Sequence, residues 1–311
     1  MSTELTSSKL KEKRRSQFIS GIIIGVLGSI CFSSKAIFVK LAYREAPVDA
    51  ITLLALRMLI SLPFFLASAF YSSSKNDNQR FSGKQWLYVA VVGCLGYYVS
   101  SYLDFQGLRF ISAGIERLVL FIYPTIVLVI SALYLRKRIT QLQWLAVAVT
   151  YAGLLLAFYG EANLQEVDSD FVIGSTLIFG CAITYALYIV FSGQLIPSIG
   201  AAKFNSYAMT FAAAAVLFHF FITSDGGLLG LNPMVYLYSA LMAIVSTVVP
   251  SYLVAESIRR IGSGNTAIVA SIGPVSTIIQ AYLFLQEPIH LTQILGTTLI
   301  IAGVLLIGQH K

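Results

Sequence analysis

Charge is what this sequence has least of. Only 11% of its 311 residues are Asp, Glu, Lys or Arg, against roughly 25% in an average soluble domain. Hydrophobic residues make up 57% and the mean hydropathy is +0.79. A soluble core of this size needs a polar shell, and there are too few polar residues to build one. The chain therefore reads as an integral membrane protein. Histidine is almost missing: of His219, His290 and His310, only His219 falls plainly inside an apolar run. There is no G-x-S-x-G, no H-E-x-x-H and no acidic D-D-x-x-D cluster within a span. An enzyme is therefore the weaker reading, and no cofactor or metal is implied. The lack of a Walker A sequence excludes ATP-driven transport by this chain alone. Cysteine is sparse, with Cys31, Cys94 and Cys181 all inside apolar runs. An odd count without framework or zinc spacing points to buried packing residues. The net charge of +7 is parcelled into short loops, which argues against a nucleic-acid partner.

What is present is apolar sequence in regular instalments. Ten runs fall at about 18–42, 47–71, 85–106, 111–134, 141–160, 171–194, 202–223, 233–256, 263–286 and 289–308, each near the ~20 residues that a helix needs to cross the hydrocarbon core. The connections leave no room for a soluble domain. The basic segment before the first run, "SSKLKEKRRSQF", is followed by no A-x-A-like cleavage site, so the first run reads as a retained span.

Charge in the loops gives an orientation. With the N-terminus inside, the inner ends carry Lys9, Lys11, Lys13, Arg14, Arg15, Lys75, Arg80, Lys84, Arg136, Lys137, Arg138, Lys203, Arg259, Arg260 and Lys311. The outer ends carry only Lys40, Arg44 and Arg109, and the acidic loop "EANLQEVDSD" (161–170) also lies outside. The bias predicts both termini in the cytoplasm, with the protein in a bacterial inner membrane.

Shifted by 150 positions, the sequence aligns with itself. "VSSYL" (99–103) faces "VPSYL" (249–253), and "AGLLL" (152–156) faces "AGVLL" (302–306). Arg109, Ile111 and Gly114 face Arg259, Ile261 and Gly264, while Pro124 faces Pro274. Each half then holds five spans. An odd number of spans turns the second half over relative to the first, which predicts an inverted-topology repeat with a substrate site near the midplane.

Two stretches carry a family resemblance: "GLRFISAGIERLVLFIYPTIVLVISALYLRKRI" (107–139) and "IRRIGSGNTAIVASIGPVSTIIQAYLFLQEPI" (258–289), each running on into "AG" and leucine-like residues. On these the sequence resembles the drug/metabolite transporter superfamily, specifically the ten-span EamA-type transporters, over nearly its whole length. The resemblance implies an all-α carrier with two five-helix repeats around a central cavity, and no particular substrate. A glutamate that the family places just past the fourth span is present in the second half as Glu287, whereas Lys137 holds the first-half position. The resulting division is a basic tail (1–17), a first repeat (18–160) and a second repeat (171–309).

Several charges lie inside spans. Lys35 is about seven residues short of the outer end of the first run, roughly 10 Å deeper at 1.5 Å per residue. Arg57 lies ten residues into the second run, Glu116 and Arg117 sit early in the fourth, and Asp104 closes the third. A charge at mid-bilayer costs roughly 3 kcal/mol on insertion scales, so these groups are expected to face the bundle interior. Two readings stand. In one they form an internal salt-bridge cluster, with Glu116 paired to Lys35 or Arg57 and Arg117 snorkelling outwards or meeting Asp104. In the other, the surplus of cations receives a carboxylate or phosphate of the substrate through Lys35 or Arg57. Proton coupling through Glu116 is a further expectation.

Tyr98, Tyr102, Tyr185 and Gln280 lie deep enough to line a cavity, Tyr185 being the repeat-equivalent of Lys35. Pro124 and Pro274 hold equivalent mid-span places and suit hinges. The function expected is a secondary carrier, an exporter or exchanger of a small anionic or zwitterionic metabolite, with a membrane enzyme or channel as the alternative. It would work in the lipid bilayer as a monomer or homodimer.

Overall fold

The computed structural model describes residues 2–74, 81–136, 138–162, 169–224, 227–286, 289 and 291–308. Lys75, Arg80, Lys137, Glu287, His290, His310, Lys311 and residues 163–168 of the acidic loop lie outside the described residues. Among those described, every regular element is a helix. The first half runs α1 Ser2–Glu45, α2 Ala50–Ser73, α3 Gly83–Gly93, α4 Ser100–Gly107, α5 Ala113–Leu120, α6 Tyr123–Leu133 and α7 Gln141–Ala162. The second runs α8 Ser169–Ile199, α9 Ala201–Thr223, α10 Pro233–Ala243, α11 Val249–Val269, α12 Ile272–Gln280 and α13 Leu291–Gly308. The helix α1 starts at Ser2, so the backbone of the basic segment continues the first span as helix.

Among the described residues, six helices are long and apolar enough to cross a membrane: Arg15–Glu45, Ala50–Ser73, Gly83–Gly107, Ser169–Ile199, Ala201–Thr223 and Pro233–Val269. Four shorter apolar helices, Tyr123–Leu133, Gln141–Leu156, Ile272–Phe284 and Ile294–Leu306, fall within the other four expected spans. Their outer faces carry large exposed apolar side chains, among them Phe70, Leu133, Phe221 and Leu305, the surface that lipid tails cover and water does not.

Local sequence explains the helix ends. Ser82 caps α3 through a reciprocal pair with Gln85, Ser112 accepts from the Ile115 N–H at the start of α5, and Asn232 caps α10 with Pro233 in the first turn. Gly200 and Gly262 take φ of 90° and 80°, the left-handed region that favours glycine, and each turns the chain between helical segments.

Irregularities recur at equivalent places. The helix breaks at 121–122 between α5 and α6, and at 270–271 within the equivalent stretch between α11 and α12. Pro124 and Pro274 follow these breaks directly, so each proline sits in a first turn, where its missing N–H costs nothing, and not at a mid-helix kink. Wide turns with i→i+5 bonding fall at Cys94–Val99 and Ile244–Val248, again in register under the 150-residue shift. Packing is reciprocal as well. A Cβ on Gly153 would stand 2.6 Å from the Gly296 carbonyl oxygen, and one on Gly303 would stand 2.9 Å from that of Ala146. Gly153 also meets Ile300, and Gly303 also meets Thr150, so α7 and α13 run antiparallel with repeat-equivalent contacts. The pair α1 and α11 is antiparallel too, through Gly21 beside Ile261, Gly25 beside Ser257 and Gly28 beside Leu253. Its counterpart is α8 on α4, through Gly174 beside Gly107 and Gly180 beside Leu103.

Candidate functional site

Five charged side chains meet inside the first half. Lys35 on α1, Arg57 on α2, Asp104 on α4, and Glu116 and Arg117 on α5 are each 0–3% exposed. Lys35 Nζ lies 2.7 Å from Asp104 Oδ2. Arg117 Nε lies 3.1 Å from Oε2 of its neighbour Glu116, and its Nη2 donates to the Ser33 carbonyl at 3.2 Å. The Asp104 and Glu116 carboxyls lie within electrostatic reach of each other. Arg57 Nη2 donates to Ser101 Oγ at 3.2 Å, and its guanidinium lies over the Phe105 ring at 5.2 Å. Among the described residues, Nε and Nη1 of Arg57 have no hydrogen-bond partner. The cluster holds three cations and two anions.

These contacts differ from the pairing expected from sequence. Asp104, read as closing its span, is wholly buried because α4 continues to Gly107 and packs between α8 and α2. It therefore captures Lys35. Glu116 is taken by Arg117, whose long side chain folds back along its own helix. Adjacent residues leave a helix about 100° apart, and the guanidinium stem spans that angle.

Between the two halves lies a cavity of about 30 Å³, room for one or two waters. Its walls include Phe32, Arg117, Leu120 and Tyr123 from the first half and Tyr185, Val254, Thr266, Ala267, Ala270 and Gly273 from the second. Three repeat-equivalent pairs are among them: Arg117 with Ala267, Leu120 with Ala270, and Tyr123 with Gly273. The equivalents of Lys35, Asp104, Glu116 and Arg117 are Tyr185, Val254, Thr266 and Ala267, and all four line the cavity. One side of the site is thus charged and the matching side is neutral. Arg117 is the one charged residue in the wall, and Tyr123 closes it by donating to the Ala267 carbonyl at 3.4 Å. The Tyr123 and Tyr185 rings meet edge to face at 5.1 Å, and Tyr185 stacks on Phe32 at 5.8 Å.

The other sequence candidates lie elsewhere. Lys35, Arg57 and Glu116 sit behind the cavity wall in the charged cluster. Gln280 donates to Ser33 Oγ at 3.1 Å and Ser276 Oγ at 2.6 Å, tying α12 to α1. Tyr98 pairs with His219 Nδ1 at 3.1 Å, and the Tyr102 ring meets the His219 ring at 4.9 Å. Neither tyrosine lines this cavity. Sequence reasoning did not select Phe32, Tyr123 or Thr266. The available signal was the repeat itself, since Thr266 is what the second half places where the first has Glu116. Among the described residues no group of His, Cys, Asp and Glu is arranged to hold a metal ion.

Two larger features mark the ends of the bundle. At the end holding Arg44 and Arg109, a cleft of about 470 Å³ opens between α1, the α4–α5 turn and the start of α5. At the opposite end the equivalent region is packed shut. A Cβ on Gly193 would stand 3.0 Å from Ser263 Oγ, and Ser257 Oγ donates to the Gly21 carbonyl at 3.1 Å. There Glu256 accepts from Arg259 Nε at 2.7 Å and Arg260 Nε at 2.6 Å, and Arg260 Nη1 reaches Ser20 Oγ at 2.6 Å.

Comparison with known proteins agrees with this architecture. The model of the EamA-like transporter family matches residues 19–159 and 172–309, one match in each half. An uncharacterized transporter of Bacillus subtilis, YcbK, is 35% identical over 284 residues, covering 89% of each chain. An uncharacterized transporter of Synechocystis is 23% identical over 327 residues, covering 94% of each. One crystal structure aligns with a TM-score of 0.75 over 93% of this chain and 98% of that one. At 16% identity that likeness concerns the fold alone.

Proposed function

The chain belongs to the EamA-like transporter family and is a multi-pass membrane transporter, and we propose that it carries a small organic anion or zwitterion by alternating access. The observation that carries this reading is Arg117. Arg117 lines a cavity between the two halves, its guanidinium held by Glu116 and the Ser33 carbonyl, and is backed by a buried cluster with one cation in excess. A fixed guanidinium in an otherwise neutral, aromatic wall favours a planar carboxylate or a phosphate. Tyr123, Tyr185 and Thr266 add polar groups and Phe32 an apolar face, the mixture found in small-molecule sites.

In this proposal the chain makes ten spans in two inverted halves. The antiparallel, repeat-equivalent packing of α7 on α13 and of α1 on α11 supports it. So do the paired breaks before Pro124 and Pro274, which serve as hinges on either side of the cavity. At about 30 Å³ the cavity is far below the ~300 Å³ typical of an organic ligand site, so loading requires the halves to part. The packed end at Glu256 and Arg260 is the closed gate, and the end with the large cleft faces out. In this proposal the proton is the coupling ion, taken up at Glu116 beside Asp104. Orientation follows the loop charges, with both termini cytoplasmic.

The test is a thermal-shift screen of purified protein against small anions, zwitterions and cations, followed by counterflow in proteoliposomes. A ligand that binds only the folded state raises apparent stability by RT ln(1 + [L]/Kd). Anionic or zwitterionic compounds should stabilise the wild type and show saturable exchange, and Arg117→Gln should lose both while remaining monodisperse. Stabilisation by cations alone, non-saturable flux, or product formation without movement would each overturn the proposal.

A further inference from the structure

Lys40, Arg44 and Arg109 are the only cations that the sequence places at the outer ends of its spans. The structure brings all three to a single cleft. They line the space of about 470 Å³ together with Tyr43, Pro47 and Ser112. The acidic neighbours Glu45 and Asp49 are not in its wall. Cations are scarce on that side because retaining arginine or lysine in a translocated loop works against insertion. Their convergence in one concavity therefore has a use.

The repeat supplies an internal control. Arg109 and Arg259 are equivalent residues. At the packed end Arg259 is neutralised by Glu256, whose carboxylate takes its Nε at 2.7 Å. The equivalent of Glu256 is Gln106, and among the described residues Arg109 Nη1 donates to that neutral amide oxygen, at 3.3 Å. One half has a salt bridge where the other has an arginine facing an open cleft with its acid replaced by an amide. Two of the cleft's lining residues adjoin the buried charged cluster along the chain. Ala113 is one turn before Glu116, and Leu108 is one turn after Asp104. The Tyr43 hydroxyl donates to the Phe105 carbonyl at 3.0 Å and stands within electrostatic reach of Arg109, Asp104 and Asp49.

We propose that this cleft is an anion-binding vestibule, a site separate from the central cavity that captures a carboxylate- or phosphate-bearing molecule through Arg109, Arg44 and Lys40. Its role in feeding the centre rests on the carrier reading above; binding in the cleft does not. Two guanidiniums and an ammonium, the last also donating to the Ile111 carbonyl at 2.7 Å, around an open hollow raise the local concentration of anions by field focusing, and the effect is screened by salt.

The experiment measures the cleft directly. In full-length protein lacking Cys31, Cys94 and Cys181, Val48→Cys places a thiol at the cleft wall. Leu229→Cys places a control thiol at a position 90% exposed in the 227–231 loop, which the loop charges assign to the same side. Modification rates are compared for a sulfonate-bearing and a trimethylammonium-bearing methanethiosulfonate, neither of which crosses the bilayer. The anionic-to-cationic rate ratio should be several-fold higher at Val48→Cys than at Leu229→Cys. It should fall at least about threefold in the Arg44→Gln/Arg109→Gln background, in line with a fraction of a kcal/mol per charge in water at these distances. Sulfate at millimolar concentration should protect Val48→Cys more than chloride at equal ionic strength. Equal ratios at the two thiols, or a ratio indifferent to the arginines, overturns the vestibule. Counterflow on the same samples separates the two claims. Ratios as expected without anion exchange leave the vestibule and remove the carrier reading; exchange with flat ratios does the reverse.

Discussion

Lys35 Nζ and Asp104 Oδ2 meet at 2.7 Å with both side chains at most 4% exposed. An ion pair so far from water gains little net stability over a well-packed apolar pair, because desolvation consumes the Coulomb energy. Losing one partner is another matter, since the survivor is left charged in a dry interior. Lys35→Met should destabilise the protein by about 3–5 kcal/mol, and the double variant Lys35→Met/Asp104→Asn should recover most of that. Thermal unfolding in detergent across the four-member cycle measures it. A double variant no better than the single shows that the pair contributes through packing and not through charge.

Arg57 invites the opposite experiment. Its guanidinium is 1% exposed, with one hydrogen bond to Ser101 and two nitrogens lacking partners among the described residues. Replacement by an apolar residue of similar length removes an uncompensated burial cost. Arg57→Met should therefore leave stability unchanged or raise it by about 1–3 kcal/mol, a result visible as a higher Tm. Marked destabilisation would mean that Arg57 balances Asp104 and Glu116 as a necessary third cation.

How far the sequence foretold this site follows from what a helix sequence encodes. Depth along a span is read by counting residues, and on that count Lys35, Glu116 and Arg117 are expected together; the structure buries all three in one half. Azimuth is not read that way. Tyr98 and Tyr102 have suitable depth, yet they turn to His219 on α9. Asp104 looks terminal because the apolar run ends near it, whereas its burial depends on α4 packing against α8 and α2. The helix breaks at 121–122 and 270–271 left only a trace, a proline shortly after each. The repeat was the most informative feature, because it compares each residue with its own counterpart. That comparison separates the charged wall from the neutral one.

Close packing between the halves should be sensitive at its glycines. A methyl on Gly303 would collide with Thr150 Oγ1 and stand 2.9 Å from the Ala146 carbonyl oxygen, which cannot rotate away. Gly303→Ala should cost about 1–3 kcal/mol through forced separation of α7 and α13. Gly83→Ala, with nothing within 4 Å of the added carbon, should be neutral or slightly stabilising because it reduces chain entropy in the unfolded state. Parallel melting curves decide this. A harmless Gly303→Ala would show that α7 and α13 have room to shift apart.

The last prediction concerns the packed end. Glu256 holds Arg259 and Arg260, and Arg260 in turn reaches Ser20 on α1. Its equivalent at the open end is the neutral Gln106, so Glu256→Gln makes the two ends alike in this respect. Partly exposed ion pairs are individually weak, roughly 0–1 kcal/mol. Even so, about 1 kcal/mol is a fivefold change in a conformational equilibrium, because 1.4 kcal/mol corresponds to tenfold. A thiol introduced as Ser263→Cys, beside Gly193 in the packed region, reports that opening. Its labelling from the basic end by a membrane-impermeant maleimide should rise about two- to fivefold in Glu256→Gln. It should fall back in high-affinity ligand if that ligand selects the closed arrangement. An unchanged rate would show that α1 and α11 are held by Ser257, Gly21 and Gly25 alone, and that the Glu256 ion pairs play no part in closing this end.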